Sequence, residues 1–209
     1  MERVLSDGQY LSIASPFDYE LNIKRSRFIA SLRWISNRKE FEEALKKINA
    51  QFPKANHYCW AYRFIGTPIL EHASDCGEPS GSAGRPILGA LKKYSLLNIA
   101  AVVTRYFGGV KLGVSSLINA YGEVTAQAIL NSEIIVKEPM TSFEFSCSYE
   151  MFNLVLEILK RRQVDSKKIK TKFGENIFGE FEISTLNIGT LMKEFDEIKY
   201  RGNISYRKK

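Results

Sequence analysis

Ile99-Ala100-Ala101-Val102-Val103-Thr104-Arg105-Tyr106-Phe107-Gly108-Gly109-Val110-Lys111-Leu112-Gly113 decides how the first half of this chain folds. Residues 99–103 form a continuous apolar run, as in a strand buried on both faces. A glycine-rich loop follows at once. Beyond it Leu117, Tyr121, Val124 and Ala128 recur at helical spacing. The stretch just upstream repeats the plan. Ile69 to Ala73 suits a strand, Gly77-Glu78-Pro79-Ser80-Gly81-Ser82-Ala83-Gly84 a loop, and Arg85-Pro86 the opening of a helix reaching about Tyr94. Proline is favoured in a first helical turn, where its missing N–H would have had no partner.

Working outward, residues 9–14 and 28–35 read as strands, and Tyr58 to Ile65 as another that turns through Gly66-Thr67-Pro68. Asn37 with Glu40 three residues on is a capping-box arrangement. Phe41, Ala44, Leu45, Ile48 and Phe52 then share one helical face, and Pro53 closes it. Lys137-Glu138-Pro139 reads as a linker between domains at 1–136 and 137–209. Past it comes a strand with Phe143, Phe145 and Cys147 on one side. Ser148 can cap a helix with Phe152, Val155, Leu156 and Leu159 as its stripe. Two strands meet around Gly174-Glu175-Asn176. Asn187 can cap a helix with Ile188, Leu191, Phe195 and Ile198, and Ile204 and Tyr206 suit a last strand. The order β-α-β-β-α-β is that of a ferredoxin-like split unit. The expected fold class is therefore α+β in two domains.

The 209 residues carry 30 Lys and Arg against 23 Asp and Glu, a net charge of +7 that favours polyanionic partners without naming one. No apolar run has the length of a membrane span, and MERVLSDGQY has no secretory pattern, so a cytoplasmic protein is expected. Cys59, Cys76 and Cys147 match no disulfide framework and read as reduced thiols.

A glycine loop that feeds a helix can aim several backbone N–H groups and the positive end of the helix dipole at one anion. Both loops have this form. Gly81 and Gly84 belong to one, Gly108 and Gly109 to the other, with Arg85, Arg105 and Lys111 as cations beside them. Neither loop is GxxxxGK[ST] or GxGxxG, so neither a P-loop nor a dinucleotide fold is indicated. The alternative is that the glycines only make tight turns and close helix packing. His57, Asp75, Glu78 and Ser80 could support an anion site. Asp75 and Glu78 could hold magnesium or act as acid and base. Alternatively Asp75 closes a turn and Glu78 pairs with Arg85 or Arg105. His57, Cys59, His72 and Cys76 fit no paired-ligand spacing for zinc, so no metal and no cofactor are expected. Lys160, Arg161, Arg162, Lys167, Lys168 and Lys170 form a second basic cluster, either a nucleic-acid contact or a solvated face at a helix C-terminus.

Ser74 to Pro86 and Thr104 to Gly113 resemble the two signatures of the IMPACT family. Lys24-Arg25-Ser26-Arg27-Phe28 and His57-Tyr58-Cys59-Trp60-Ala61-Tyr62 are similar to its two earlier motifs. The resemblance implies a first domain like domain IV of elongation factor G and a second like domain V. It also implies a link to translation, since the eukaryotic relative regulates translation by competing for an activator of a starvation-sensing kinase. The chain departs from the family pattern at Cys76, where the family usually has Asp. It departs again at Val114-Ser115-Ser116 and Asn119, where more glycine and an Arg are usual. The expected function is a non-catalytic binding or regulatory protein that contacts RNA or the ribosome. The alternatives are a phosphate-handling enzyme, such as a small-molecule kinase or hydrolase, and a protein-interaction regulator without an anion ligand.

Overall fold

The computed structural model describes residues 8–200 and 202–208. The chain divides into two compact units, one spanning Tyr10–Lys137 and one built from Glu138 onward that also takes in Gln9. Among the described residues no helix is long and apolar enough to cross a membrane.

The first unit runs β1 (Tyr10–Ile13), β2 (Phe17–Ile23), β3 (Ser26–Trp34), α1 (Arg38–Gln51), β4 (His57–Phe64), β5 (Leu70–Ser74), α2 (Gly84–Lys93), β6 (Ile99–Tyr106), α3 (Val114–Asn131) and β7 (Ile134–Lys137). Five strands form a sheet in the order β2-β3-β6-β4-β5. Every neighbouring pair in it is antiparallel. β1 and β7, the two ends of the unit, make a separate antiparallel pair from Tyr10↔Lys137 to Ile13↔Ile134.

The apolar run at 99–103 lies in the central strand β6, and successive side chains on it go to opposite faces. Ile99, Ala101 and Val103 enter a core with Ile87 and Leu91 of α2 and Leu117, Tyr121 and Val124 of α3. Ala100 and Val102 enter another with Phe41 and Ile48 of α1. Helices thus cover both faces, which is why the strand shows no alternation. Burying each large apolar side chain here contributes about 1.5–3 kcal/mol.

Asn37 caps α1 as its spacing predicts, its Oδ1 accepting the Glu40 N–H at 3.0 Å. The reciprocal bond lands one residue earlier than a capping box requires. The Glu40 carboxylate accepts the N–H of Ser36 at 2.7 Å. One orphan donor of the helix, the Glu40 N–H, is satisfied, and the second bond ties the residue before the cap to the first turn.

The second unit runs β8 (Met140–Cys147), α4 (Tyr149–Arg161), β9 (Lys170–Phe173), β10 (Ile177–Ser184), α5 (Ile188–Lys199) and β11 (Ile204–Lys208). Its sheet has the order β11-β8-β10-β9, antiparallel throughout. Phe143, Phe145, Ile177 and Phe181 pack against Val155, Leu159, Leu191 and Phe195 of the two helices. Gly179 lies on the inward face of β10, where a Cβ would stand 2.1 Å from the Phe145 ring. Only glycine leaves that ring its place.

Three expectations need correcting here. Ser148 stands at the N-cap of α4 in an extended conformation, but its side chain makes no cap hydrogen bond. The buried stripe of α4 is Met151, Val155, Ile158 and Leu159, with Phe152 and Leu156 only part-buried. The helix is apolar around most of its circumference, so several stripes fit the sequence equally well. Asn187 makes no side-chain cap for α5. A single 3-10 turn, Thr185–Asn187, comes first, and Ser184 caps that turn by accepting the Leu186 N–H.

Candidate functional site

The two glycine loops of the first unit begin from similar sequence and end in different states. In the first loop an internal anion already occupies the helix N-terminus. Asp75 Oδ1 accepts the N–H groups of Ala83 at 2.9 Å and Gly84 at 2.8 Å. Its Oδ2 accepts that of Gly81 at 2.8 Å. Burial pushes the Asp75 carboxyl up, but those three N–H donors, with the nearby Arg85 charge, hold it below the usual carboxylate range. Gly84 is required by packing, because a Cβ there would sit 2.8 Å from the Ser74 backbone nitrogen. The expectation of free donors in this loop is therefore corrected: a carboxylate eight and nine residues upstream of Ala83 and Gly84 takes them.

The second loop is open. Gly108 approaches the turn between β2 and β3 so closely that a Cβ would meet the Arg25 carbonyl oxygen at 1.9 Å. The Phe107 N–H is held by Asn56 Oδ1 at 2.8 Å. By contrast Gly109 (φ +82) and Gly113 (φ +78) have nothing within 4 Å of where a Cβ would stand. Gly113 is the N-cap of α3. It provides no side-chain cap, and the first turn holds no acidic residue. Among the described residues, neither the N-cap nor the first turn of α3 supplies an anion to its positive end.

That end borders a cleft of about 380 Å³ between the loops, lined in part by Asn56, His57, Glu78, Arg105, Phe107 and Lys111. Glu78 and Arg105 lie at its base, with side chains only 4% and 6% exposed, and Arg105 Nη1 donates to Glu78 Oε1 at 2.5 Å. The same oxygen accepts the Tyr121 hydroxyl at 2.7 Å. Arg105 Nη2 donates to Ser26 Oγ at 3.3 Å, and Nε is buried without a protein acceptor. The guanidinium also lies over Phe28 at 5.3 Å and Phe107 at 5.6 Å. His57 is the strand partner of Arg105. Its Nδ1 lies 3.1 Å from the Cys76 carbonyl, which can only accept, so Nδ1 carries the proton. Nε2 is 4.0 Å from Glu78.

Cys59 lies behind this base, its thiol 2.9 Å from the Asp75 carbonyl and 3.3 Å from the Tyr121 hydroxyl. Burial pushes it up to about 12, the opposite of an activated nucleophile. Burial likewise pushes the Tyr121 phenol up. His72 packs against the rings of Trp60 and Tyr62. Among the described residues no three His, Cys, Asp or Glu side chains are grouped to hold a metal ion.

The expected site residues therefore separate. Arg105, Lys111, His57 and Glu78 line the cleft, while Asp75, Ser80, Gly81, Gly84, Arg85, Gly108 and Gly109 do not. Three converging cations reduce to two, and one of those, Arg105, is paired. The second basic cluster is also partly neutralised. Arg162 and Arg161 contact Glu194 at 2.8 and 3.8 Å. Lys160 is exposed. Lys167, Lys168 and Lys170 border a hollow that also contains Asp165, Glu180 and Glu182. Asn56, Ser26 and Tyr121 join the site without having been singled out for it. Tyr121 falls on the apolar stripe of α3, and only its hydroxyl hints at a polar partner.

A family model described as the Impact N-terminal domain matches residues 24–129. An IMPACT family member of Haemophilus influenzae is 35% identical to this chain, over 91% of it and 92% of the relative. The IMPACT family member YigZ of Escherichia coli is 33% identical, over 78% and 80%. A crystal structure of a hypothetical protein superimposes with a TM-score of 0.69 at 26% identity, covering 95% of this chain and 96% of that one.

Proposed function

The chain belongs to the IMPACT family, and from that premise we propose that it is a non-catalytic binding protein that engages RNA through the cleft of its first unit and acts in translation. The observation that carries this reading is the contrast between the loops. One helix N-terminus is closed by Asp75, whereas that of α3 is uncapped and opens on a cleft bordered by Lys111. Uncapped helix donors beside an exposed lysine fit a phosphate. RNA is favoured among phosphate ligands by the net charge of +7. The family resemblance to a translation regulator, and of the two domains to domains IV and V of elongation factor G, points the same way; the fold part of that is analogy. A phosphate-handling enzyme would place Asp75 or Glu78 on a metal. Here Asp75 is engaged by three backbone N–H groups and Glu78 by Arg105 and Tyr121.

The test is binding of a labelled RNA by wild type and Lys111→Ala at two salt concentrations, with thermal melting as control. Lys111 is exposed, so melting should not move. Affinity should fall by about tenfold or more if a charge-assisted bond is lost. The slope of log affinity against log salt should shrink by about one. Equal affinity and equal slope for the two proteins would refute the reading.

A further inference from the structure

The walls of the cleft say more about its ligand than its charge does. Phe107 is 44% exposed and Val114 51%, and both line one cleft together with the buried Leu112 and Leu117, so their exposed apolar surface is grouped rather than scattered. A bare phosphate or a polyanion read only by its charge has no use for such walls. A ligand that carries a flat apolar face next to its phosphate does. The Arg105 guanidinium lies over the Phe107 ring and holds the side chain at the mouth of the cleft. About 380 Å³ is room for one small group, at the lower end of ligand-site volumes. It is no room for a stretch of double helix.

Resting on the RNA reading above, we infer that the cleft holds one unstacked nucleotide of a single RNA strand, its base against Phe107 and its phosphate at Lys111 and the first turn of α3. Of the loop glycines Gly113 lines the cleft, and nothing stands within 4 Å of where its Cβ would be, so a phosphate has room beside the N-cap of α3. Two polar groups remain for the base edge. Asn56 uses its Oδ1 on the Phe107 N–H, so its amide nitrogen is left to donate. Both bonds to Glu78 fall on Oε1, so Oε2 is left to accept. Bases splayed out of single strands are recognised in this way, by an aromatic face and a polar edge, whereas an A-form duplex keeps its bases stacked and its edges in a groove side chains cannot read.

The experiment measures binding of one fluorescently labelled RNA as a single strand and annealed to its complement. The proteins are wild type, Phe107→Ala, Phe107→Tyr and Lys111→Ala. The single strand should bind about tenfold or more tightly than the duplex. Phe107→Ala should weaken the single strand by about tenfold and leave the duplex unchanged. Phe107→Tyr, which keeps a ring, should restore the affinity, and Lys111→Ala should weaken both forms. Equal binding of strand and duplex, with Phe107→Ala neutral and Lys111→Ala still damaging, would overturn the nucleotide inference and leave the phosphate reading intact. If neither substitution alters either affinity, both readings fall.

Discussion

Replacing Arg105 by Ala should destabilise the first unit rather than merely empty the cleft. The guanidinium is 6% exposed and its carboxylate partner, Glu78, 4%. Truncation leaves a buried charge with a single hydrogen bond, from Tyr121. Breaking a buried pair by removing one partner costs about 3–5 kcal/mol, most of it the uncompensated charge. Loss of the contacts with the Phe28 and Phe107 rings adds about 1 kcal/mol more. Against a total stability of about 5–15 kcal/mol this is large, and a melting point lower by about 10–20 °C is expected. The assay is urea unfolding followed by tryptophan emission. Both tryptophans, Trp34 on β3 and Trp60 on β4, belong to the first unit, so the signal reports that unit alone. Adding Glu78→Gln to the Arg105→Ala protein removes the orphaned charge while keeping an acceptor for Tyr121. It should recover about 2 kcal/mol, while Lys111→Ala should change stability by less than about 0.5 kcal/mol. A loss below about 1 kcal/mol for Arg105→Ala, or no recovery from the second substitution, would refute the reasoning.

Asp75→Asn should cost about 1–2 kcal/mol at neutral pH, because an amide cannot accept from both sides of the loop. The folded carboxyl titrates below its unfolded value, so its contribution is complete above the unfolded value of about 4 and is lost as pH falls through the folded one. The stabilities of wild type and variant, measured by urea unfolding at a series of pH values, should therefore stay apart from pH 7 down to about 5 and converge in stronger acid. A gap that persists to the lowest pH would contradict the assignment. Thiol titration with an aromatic disulfide should modify exposed Cys76 at once, and Cys59 and Cys147 only after denaturation. Cys76→Asp should melt within about 2 °C of wild type, since Asp tolerates the left-handed backbone there (φ 44).

The sequence made the frame legible where one physical signal dominated. β6 is apolar without alternation because both its faces are buried, and α1 has a cap and a single stripe. β2 carries the alternation of a half-buried strand, Phe17-Asp18-Tyr19-Glu20-Leu21-Asn22-Ile23, and could have been found by that period alone. β7 could not, because four residues gain their structure from partners on β1 far along the chain. The lining of the cleft was legible only in part, at His57, Glu78, Arg105 and Lys111, and its state was not. Both loops read as anion-ready. Asp75 closes one, the alternative the sequence offered beside a metal or acid-base role, but its spacing to Gly81 and Gly84 does not decide between them. Pairing of Glu78 with Arg85 or Arg105 was one of two readings of the sequence, and the choice of Arg105 depends on where β4, α3 and the first loop bring His57, Tyr121 and Glu78.

The pairing of β1 with β7 has a mechanical meaning. Tyr10 faces Lys137 at the place where the chain enters the first unit and leaves it again, so entry and exit lie about 5 Å apart. Tension applied through the flanking chain acts first on that end of the ladder. It would open Tyr10–Lys137 first and Ile13–Ile134 last, one pair at a time, like a zip. The backbone bond from Ala14 to Glu133 stands as the final stop. Leu11 also accepts the N–H of Leu97, just ahead of β6, and the Tyr10 hydroxyl accepts from Trp34 of β3, so these ties pass part of the load to the rest of the unit as the zip opens.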